Sequence, residues 1–176
     1  SVVEAIASVE STRSIVGERF LSGFSLVNLS ELTREGGLLE ALRGLRQAGL
    51  DMVSELPLDN CAQPETAIQN LAEAGFKQAR LTIQEAPKEN RVELLMCARM
   101  LCEQGPIVLA FNPLPTKFDG LRPTTGFEDT RFVALARIVT NISTIQVDWQ
   151  QYGPKLAQVA LMFGADDLDN VSGLDT

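Results

Sequence analysis

Apolar positions along the chain alternate between helical spacing and short continuous runs. Residues 2–18 carry Val2, Val3, Ile6, Ala7, Val9, Ile15 and Val16 and read as a helix. Phe24-Ser25-Leu26-Val27-Asn28-Leu29 is a short run of strand type. Leu38, Leu39, Leu42 and Leu45 share one face of a helix over residues 38–48, with Gly49 where a left-handed cap is usual. Residues 50–56 read as the next strand. Pro64 opens a helix that Gly75 ends, and residues 78–83 follow as a strand. Pro87 starts a helix bearing Val92, Leu94, Leu95, Met96 and Leu101, which Gly105-Pro106 stops. Ile107-Val108-Leu109-Ala110-Phe111 is a fully apolar strand, and Asn112-Pro113-Leu114-Pro115 reads as a rigid loop after it. Thr125 and Glu128 form a capping box before a helix carrying Phe132, Val133, Leu135, Ala136, Ile138 and Val139. Residues 144–149 are the last clear strand. Pro154 then leads a helix with Leu156, Val159, Ala160 and Phe163, closed by Gly164.

Strands of about five or six residues alternating with longer helices indicate βαβ units and a parallel sheet. The expected fold class is therefore α/β, in one domain over residues 1–176. Residues 1–20 form a leading helix and 24–172 the repeated βα units. Periodicity alone leaves open whether the sheet is a flat layer or part of a barrel.

Charge and cysteine content narrow the function. A net charge of −8 argues against nucleic acid as a partner. No apolar run is long enough to cross a membrane, and the first residues lack the pattern of a signal peptide, so the chain reads as cytoplasmic. There is no histidine, which removes the usual general base and a common metal ligand. Cys61, Cys97 and Cys102 read as small apolar side chains. Cys97 and Cys102 are five apart on a predicted helix and so point to different faces. No metal site is expected from them.

The last third carries a resemblance. Pro123-Thr124-Thr125-Gly126-Phe127-Glu128-Asp129, Val133-Ala134-Leu135-Ala136-Arg137-Ile138, and residues 155–169 from Lys155 through Phe163-Gly164-Ala165-Asp166-Asp167-Leu168-Asp169 are similar to motifs of one radical-SAM family. Trp149 and Gly153-Pro154-Lys155 fit as well. That family comprises the aminofutalosine synthases and cyclic dehypoxanthine futalosine synthases of menaquinone biosynthesis, with related deazaflavin-forming synthases. The resemblance implies a partial TIM-type (βα) barrel, an arc of about five or six mostly parallel strands with helices outside.

The departures are equally specific. The family binds S-adenosylmethionine on a [4Fe–4S] cluster held by three closely spaced cysteines, a spacing absent here. Its glycine-rich strand end is replaced by Ser54-Glu55-Leu56-Pro57-Leu58. The chain is thus expected to carry no cofactor of its own, to assemble no cluster, and to have no catalytic residue acting alone. The alternative is that it is a C-terminal fragment of an active synthase, or a subunit completing one whose cluster lies on another segment. Candidate ligand-binding residues are Trp149, Asp166, Asp167 and Glu55. For each a plainer reading stands beside the functional one: core packing for Trp149, a solvated acidic turn near the last barrel loops for the aspartates, and a surface carboxylate for Glu55. An incomplete barrel leaves open edges, so a homo-oligomer or a companion chain completing it is expected, unless residues 2–18 fold back across the opening.

Overall fold

The computed structural model describes residues 1–33, 37–85, 90–105, 107–117 and 125–171. Pro87, Pro106 and residues 121–124, on which some of the sequence expectations fall, lie outside them. Helix α1 (Val2–Val16) precedes six strands: β1 (Ser22–Ser25), β2 (Met52–Pro57), β3 (Ala79–Ile83), β4 (Val108–Pro115), β5 (Thr144–Asp148) and β6 (Asp167–Asp169). Between them run α2 (Leu26–Leu32), α3 (Leu38–Gln47), α4 (Pro64–Glu73), α5 (Arg91–Gln104), α6 (Gly126–Thr140) and α7 (Trp149–Met162).

The strands lie in chain order, β1-β2-β3-β4-β5-β6, and every neighbouring pair is parallel. With right-handed crossovers and no reversal of order, every connecting helix falls on the same side of the sheet. The sheet therefore curls away from its helices into a half-barrel. Leu56, Leu81, Ile83, Phe111, Ile145 and Val147 are buried in the core that includes Leu42, Leu45, Leu71, Leu101, Val133 and Ala157 of the surrounding helices. Helix α1 packs on α3, where Gly44 leaves room for Ile6, so it joins the outer layer.

Four elements differ from the pattern reading. The apolar run from Phe24 is not one strand: β1 stops at Ser25, and Leu26 and Leu29, three apart and both buried, belong to α2. Phe24 at φ 63 turns the chain out of the strand. A six-residue apolar run fits either spacing, and here helical burial wins. Strand β4 continues through Asn112-Pro113-Leu114-Pro115, the expected loop. Its register against β3 shifts between Thr82 and Ile83, and the Asn112 Oδ1 accepts the Leu114 N–H at 3.2 Å, so a bulge accommodates the prolines. Trp149 starts α7 rather than ending β5. Asp148 caps that helix by accepting the Gln151 N–H, and Gly153 (φ 75, ψ 161) kinks it before Pro154. Residues 167–169, for which a solvated acidic turn is the plainer of two readings, form the sixth strand. The capping box of Thr125 and Glu128 forms as the spacing requires.

Candidate functional site on the concave face

Parallel strands covered on both faces read as continuous apolar runs. Three strands here alternate instead: Ala79-Arg80-Leu81-Thr82-Ile83, Thr144-Ile145-Gln146-Val147-Asp148 and Asp167-Leu168-Asp169. Paired residues of adjacent parallel strands share a face. The register places Arg80 beside Ala110, Thr82 beside Asn112, Ala110 beside Thr144, Gln146 beside Asp167 and Asp148 beside Asp169. All of these therefore line the concave side, opposite Leu81, Phe111, Ile145 and Val147.

Side-chain bonds agree with that assignment. Arg80 on β3 donates through Nη1 to the Asp169 carboxylate on β6, reaching past the two intervening strands. Only a curled sheet brings those two together. Both are largely buried, at 17% and 25% side-chain exposure, so the pair is shielded from salt more than a surface pair would be. Glu55 on β2 accepts from the Thr82 hydroxyl at 3.4 Å and from Gln84 Nε2 at 3.2 Å. Gln146 Nε2 donates to Asp167, and Asn170 Nδ2 donates to Asp148. A polar interior of this kind can hold a small polar ligand by directed hydrogen bonds.

The four residues singled out from the sequence do not form one site. Glu55 and Asp167 stand on the concave face. Trp149 is half-buried at the C-terminal end of β5 and packs against the core. Asp166 lies at the other end, just before β6, rather than near the loops at the C-terminal ends of the strands. There it accepts from the Arg137 guanidinium and, at 2.8 Å, from the Ile145 N–H. The pattern reading misses Arg80, Asn112 and Gln146 as site residues, and weighs Asp169 only together with its neighbouring aspartates, without its Arg80 partner. For Arg80, Gln146 and Asp169 the signal is the alternation itself, one polar side chain at every second position of strands otherwise apolar, whereas Asn112 ends a continuous apolar run and carries no such signal.

The cysteines do not fit a three-thiolate cluster. Cys61 follows the 3-10 turn after β2, while Cys97 and Cys102 sit on α5 in the outer layer. Burial pushes all three thiols up, away from the thiolate form that ligates iron. Among the described residues, no three histidine, cysteine, aspartate or glutamate side chains group as a metal site. Among the same residues, no helix is long and apolar enough to cross a membrane.

No family model matches the chain. The cyclic dehypoxanthine futalosine synthase of Streptomyces coelicolor is 26% identical over 155 residues, covering 75% of this chain and 39% of that enzyme. The 5-amino-6-(D-ribitylamino)uracil–L-tyrosine 4-hydroxyphenyl transferase 2 of Methanosarcina barkeri is 44% identical over 61 residues, which is 32% of this chain and 16% of that one. Among solved structures, HydG, a maturase of the [FeFe]-hydrogenase, superposes with a TM-score of 0.56 at 14% identity. That match covers 93% of this chain and 48% of HydG and shows the shared fold. The chain thus spans well under half the length of the first and second of these proteins and about half of HydG.

Proposed function

We propose that the chain forms the ligand-facing wall of a radical-SAM-type barrel related to the futalosine-pathway synthases of menaquinone biosynthesis, and that it does not catalyse on its own. The observation that carries this reading is the Arg80–Asp169 pair spanning a concave face lined with Glu55, Thr82, Gln146 and Asp167. An apolar arc built only to pack against something would not need it. The similarity to cyclic dehypoxanthine futalosine synthase over most of the chain points to a nucleoside-like ligand. Glu55 and Asp167 would hold its polar groups and Trp149 would stack at the C-terminal rim, while Asp166 belongs to the opposite end.

The test is calorimetric titration of the purified chain with cyclic dehypoxanthine futalosine and with 5-amino-6-(D-ribitylamino)uracil. Binding without turnover is expected, weakened about tenfold or more by Glu55→Gln or Asp167→Asn. Unchanged affinity in both variants returns those carboxylates to solvated surface. Anaerobic reconstitution with iron and sulfide should give no cluster absorbance and no deoxyadenosine. Absorbance that disappears in a Cys97→Ala, Cys102→Ala variant would overturn the non-catalytic reading.

The partial coverage of the relatives favours a second reading, in which the chain is one part of an active synthase whose cluster lies on another segment or subunit. In the described sheet β1 and β6 each have one neighbour, so both are edges. A homo-oligomer or a companion chain would complete the barrel, in the cytoplasm. Co-expression with a chain bearing a Cys-x-x-x-Cys-x-x-Cys segment should then yield a stable complex with cluster absorbance. A clean monomer by light scattering, alone and with that chain, refutes it.

A further inference from the structure

Asn112 and Gln146 each leave one buried hydrogen-bonding atom without a partner among the described residues: the Asn112 Nδ2 and the Gln146 Oε1. The two are neighbours. Strand pairing sets Ala110 beside Thr144 and Phe111 beside Ile145, and Asn112 and Gln146 are the residues one position beyond that last pair on each strand. Amide orientation is fixed at both. Asn112 Oδ1 is occupied by the Leu114 N–H, which leaves its NH2 free. Gln146 Nε2 is bonded to the Asp167 carboxylate, which can only accept, so its oxygen is the free end. A donor and an acceptor thus stand side by side on adjacent strands, about 4.8 Å apart in backbone spacing. Asn112 is only 1% exposed, and leaving such groups unpaired is costly.

The Arg80–Asp169 pair runs across the same stretch of the sheet. Arg80 sits one rung-pair below Asn112, and Asp169 one rung-pair above Gln146. A line between them crosses the sheet over this pair.

We propose that Asn112 and Gln146 read a cyclic amide edge of the ligand, its C=O accepting from Asn112 and its adjacent N–H donating to Gln146, beneath an Arg80–Asp169 strap that swings aside. This rests on the concave face being the ligand wall and adds the ligand's chemistry. A pyrimidine imide and a 6-oxopurine lactam both present that edge. The probes are therefore uridine and inosine, each against its N-methylated form, 3-methyluridine and 1-methylinosine, which keep the carbonyl and lose the N–H.

At least one parent nucleoside should bind in a calorimetric or NMR titration, and its methylated form about tenfold or more weakly. The better parent identifies the ring. Asn112→Asp keeps the acceptor for Leu114 and removes the donor, and Gln146→Met removes the acceptor; each should weaken binding to a similar degree, while Arg80→Ala should tighten it. Equal binding of parent and methylated forms by the native protein overturns the proposal, without relying on any variant folding. If neither nucleoside binds while cyclic dehypoxanthine futalosine still does, with loss in Asp167→Asn, the edge reading fails and the wall stands. If nothing binds, both fail.

Discussion

The N-terminal end of the strands and the concave face are built from the same two residue types, arginine and aspartate, yet use them differently. At the N-terminal end each arginine holds three or more acceptors. Arg13 on α1 donates to the carbonyls of Gly49, Gly17 and Arg19 and to Asp51. Arg46 on α3 donates to the carbonyls of Gly75 and Leu50 and to Asp51, and Arg137 on α6 to those of Gly164, Ile142 and Ser143 and to Asp166. In Gly49-Leu50-Asp51 and Gly164-Ala165-Asp166 the same three-residue turn recurs. Each glycine has positive φ, at 105° and 111°, and each aspartate accepts a backbone N–H of the neighbouring strand region, from Leu21 and Ile145. Such a guanidinium supplies donors to helix-end carbonyls that would otherwise be orphaned. On the concave face, by contrast, Arg80 has one side-chain partner, and Arg80 Nε, Asn112 Nδ2 and Gln146 Oε1 have none among the described residues. Several acceptors converging on one guanidinium belong to a stability device; open valences under partial burial belong to a surface shaped for something else.

The largest effect is expected at Asp51. It accepts from Leu21 N–H, Arg13 and Arg46, so Asp51→Ala strands three donors and should lower unfolding free energy by about 2–3 kcal/mol in urea denaturation. Partial burial pushes the Asp51 carboxyl up, but the Leu21 amide and then the Arg13 and Arg46 guanidinium groups outweigh it and hold the pKa below the usual value. The stabilisation is therefore complete above the ordinary aspartate range, near pH 4, and is lost as pH falls through the lowered value. An Asp51→Asn protein should show a flatter acid limb than the native one; identical limbs would place the acid sensitivity elsewhere. Next comes Gly164→Ala. A new Cβ would lie 2.9 Å from Arg137 Cβ at a residue with φ 111, so about 1–3 kcal/mol should be lost. No measurable loss in urea denaturation would mean that the Arg137 turn has slack and does not fix this strand end.

Much of this molecule is legible as pattern, and the failures have physical reasons. Helices α3, α4 and α6 announce themselves through apolar stripes, caps and terminal glycines, because those signals are local. The parallel sheet follows from alternation. What pattern cannot supply is curvature, since strand order is a tertiary fact, nor the length of β4, because a bulge held by Asn112 rescues prolines that normally end a strand. Asp166 and Asp167 are adjacent in sequence and read alike, yet one clamps the N-terminal end and the other faces the concavity. Nothing in a short acidic stretch tells which side of a strand boundary each residue falls on. Arg80 and Asp169 lie 89 residues apart, and their pairing becomes visible only when the half-barrel closes the distance.

The smallest effect should come from the most conspicuous ion pair. Taking two charges out of water costs several kcal/mol, which mutual attraction offsets only when every remaining donor is also bonded. Arg80 does not meet that condition: its Nε is buried without a partner among the described residues. Replacing both residues by apolar groups of similar size, Arg80→Met with Asp169→Leu, removes the desolvation cost and the orphan together. The double variant should fall within about 1 kcal/mol of the native protein. Each single variant leaves a charge in a site that is three-quarters or more buried, and should cost more than the pair does. A double-mutant cycle in urea measures the coupling directly. If the double variant instead loses as much as Asp51→Ala, Arg80 and Asp169 hold the arc together as the clamps hold its other end, and the distinction between a satisfied end and an open face collapses.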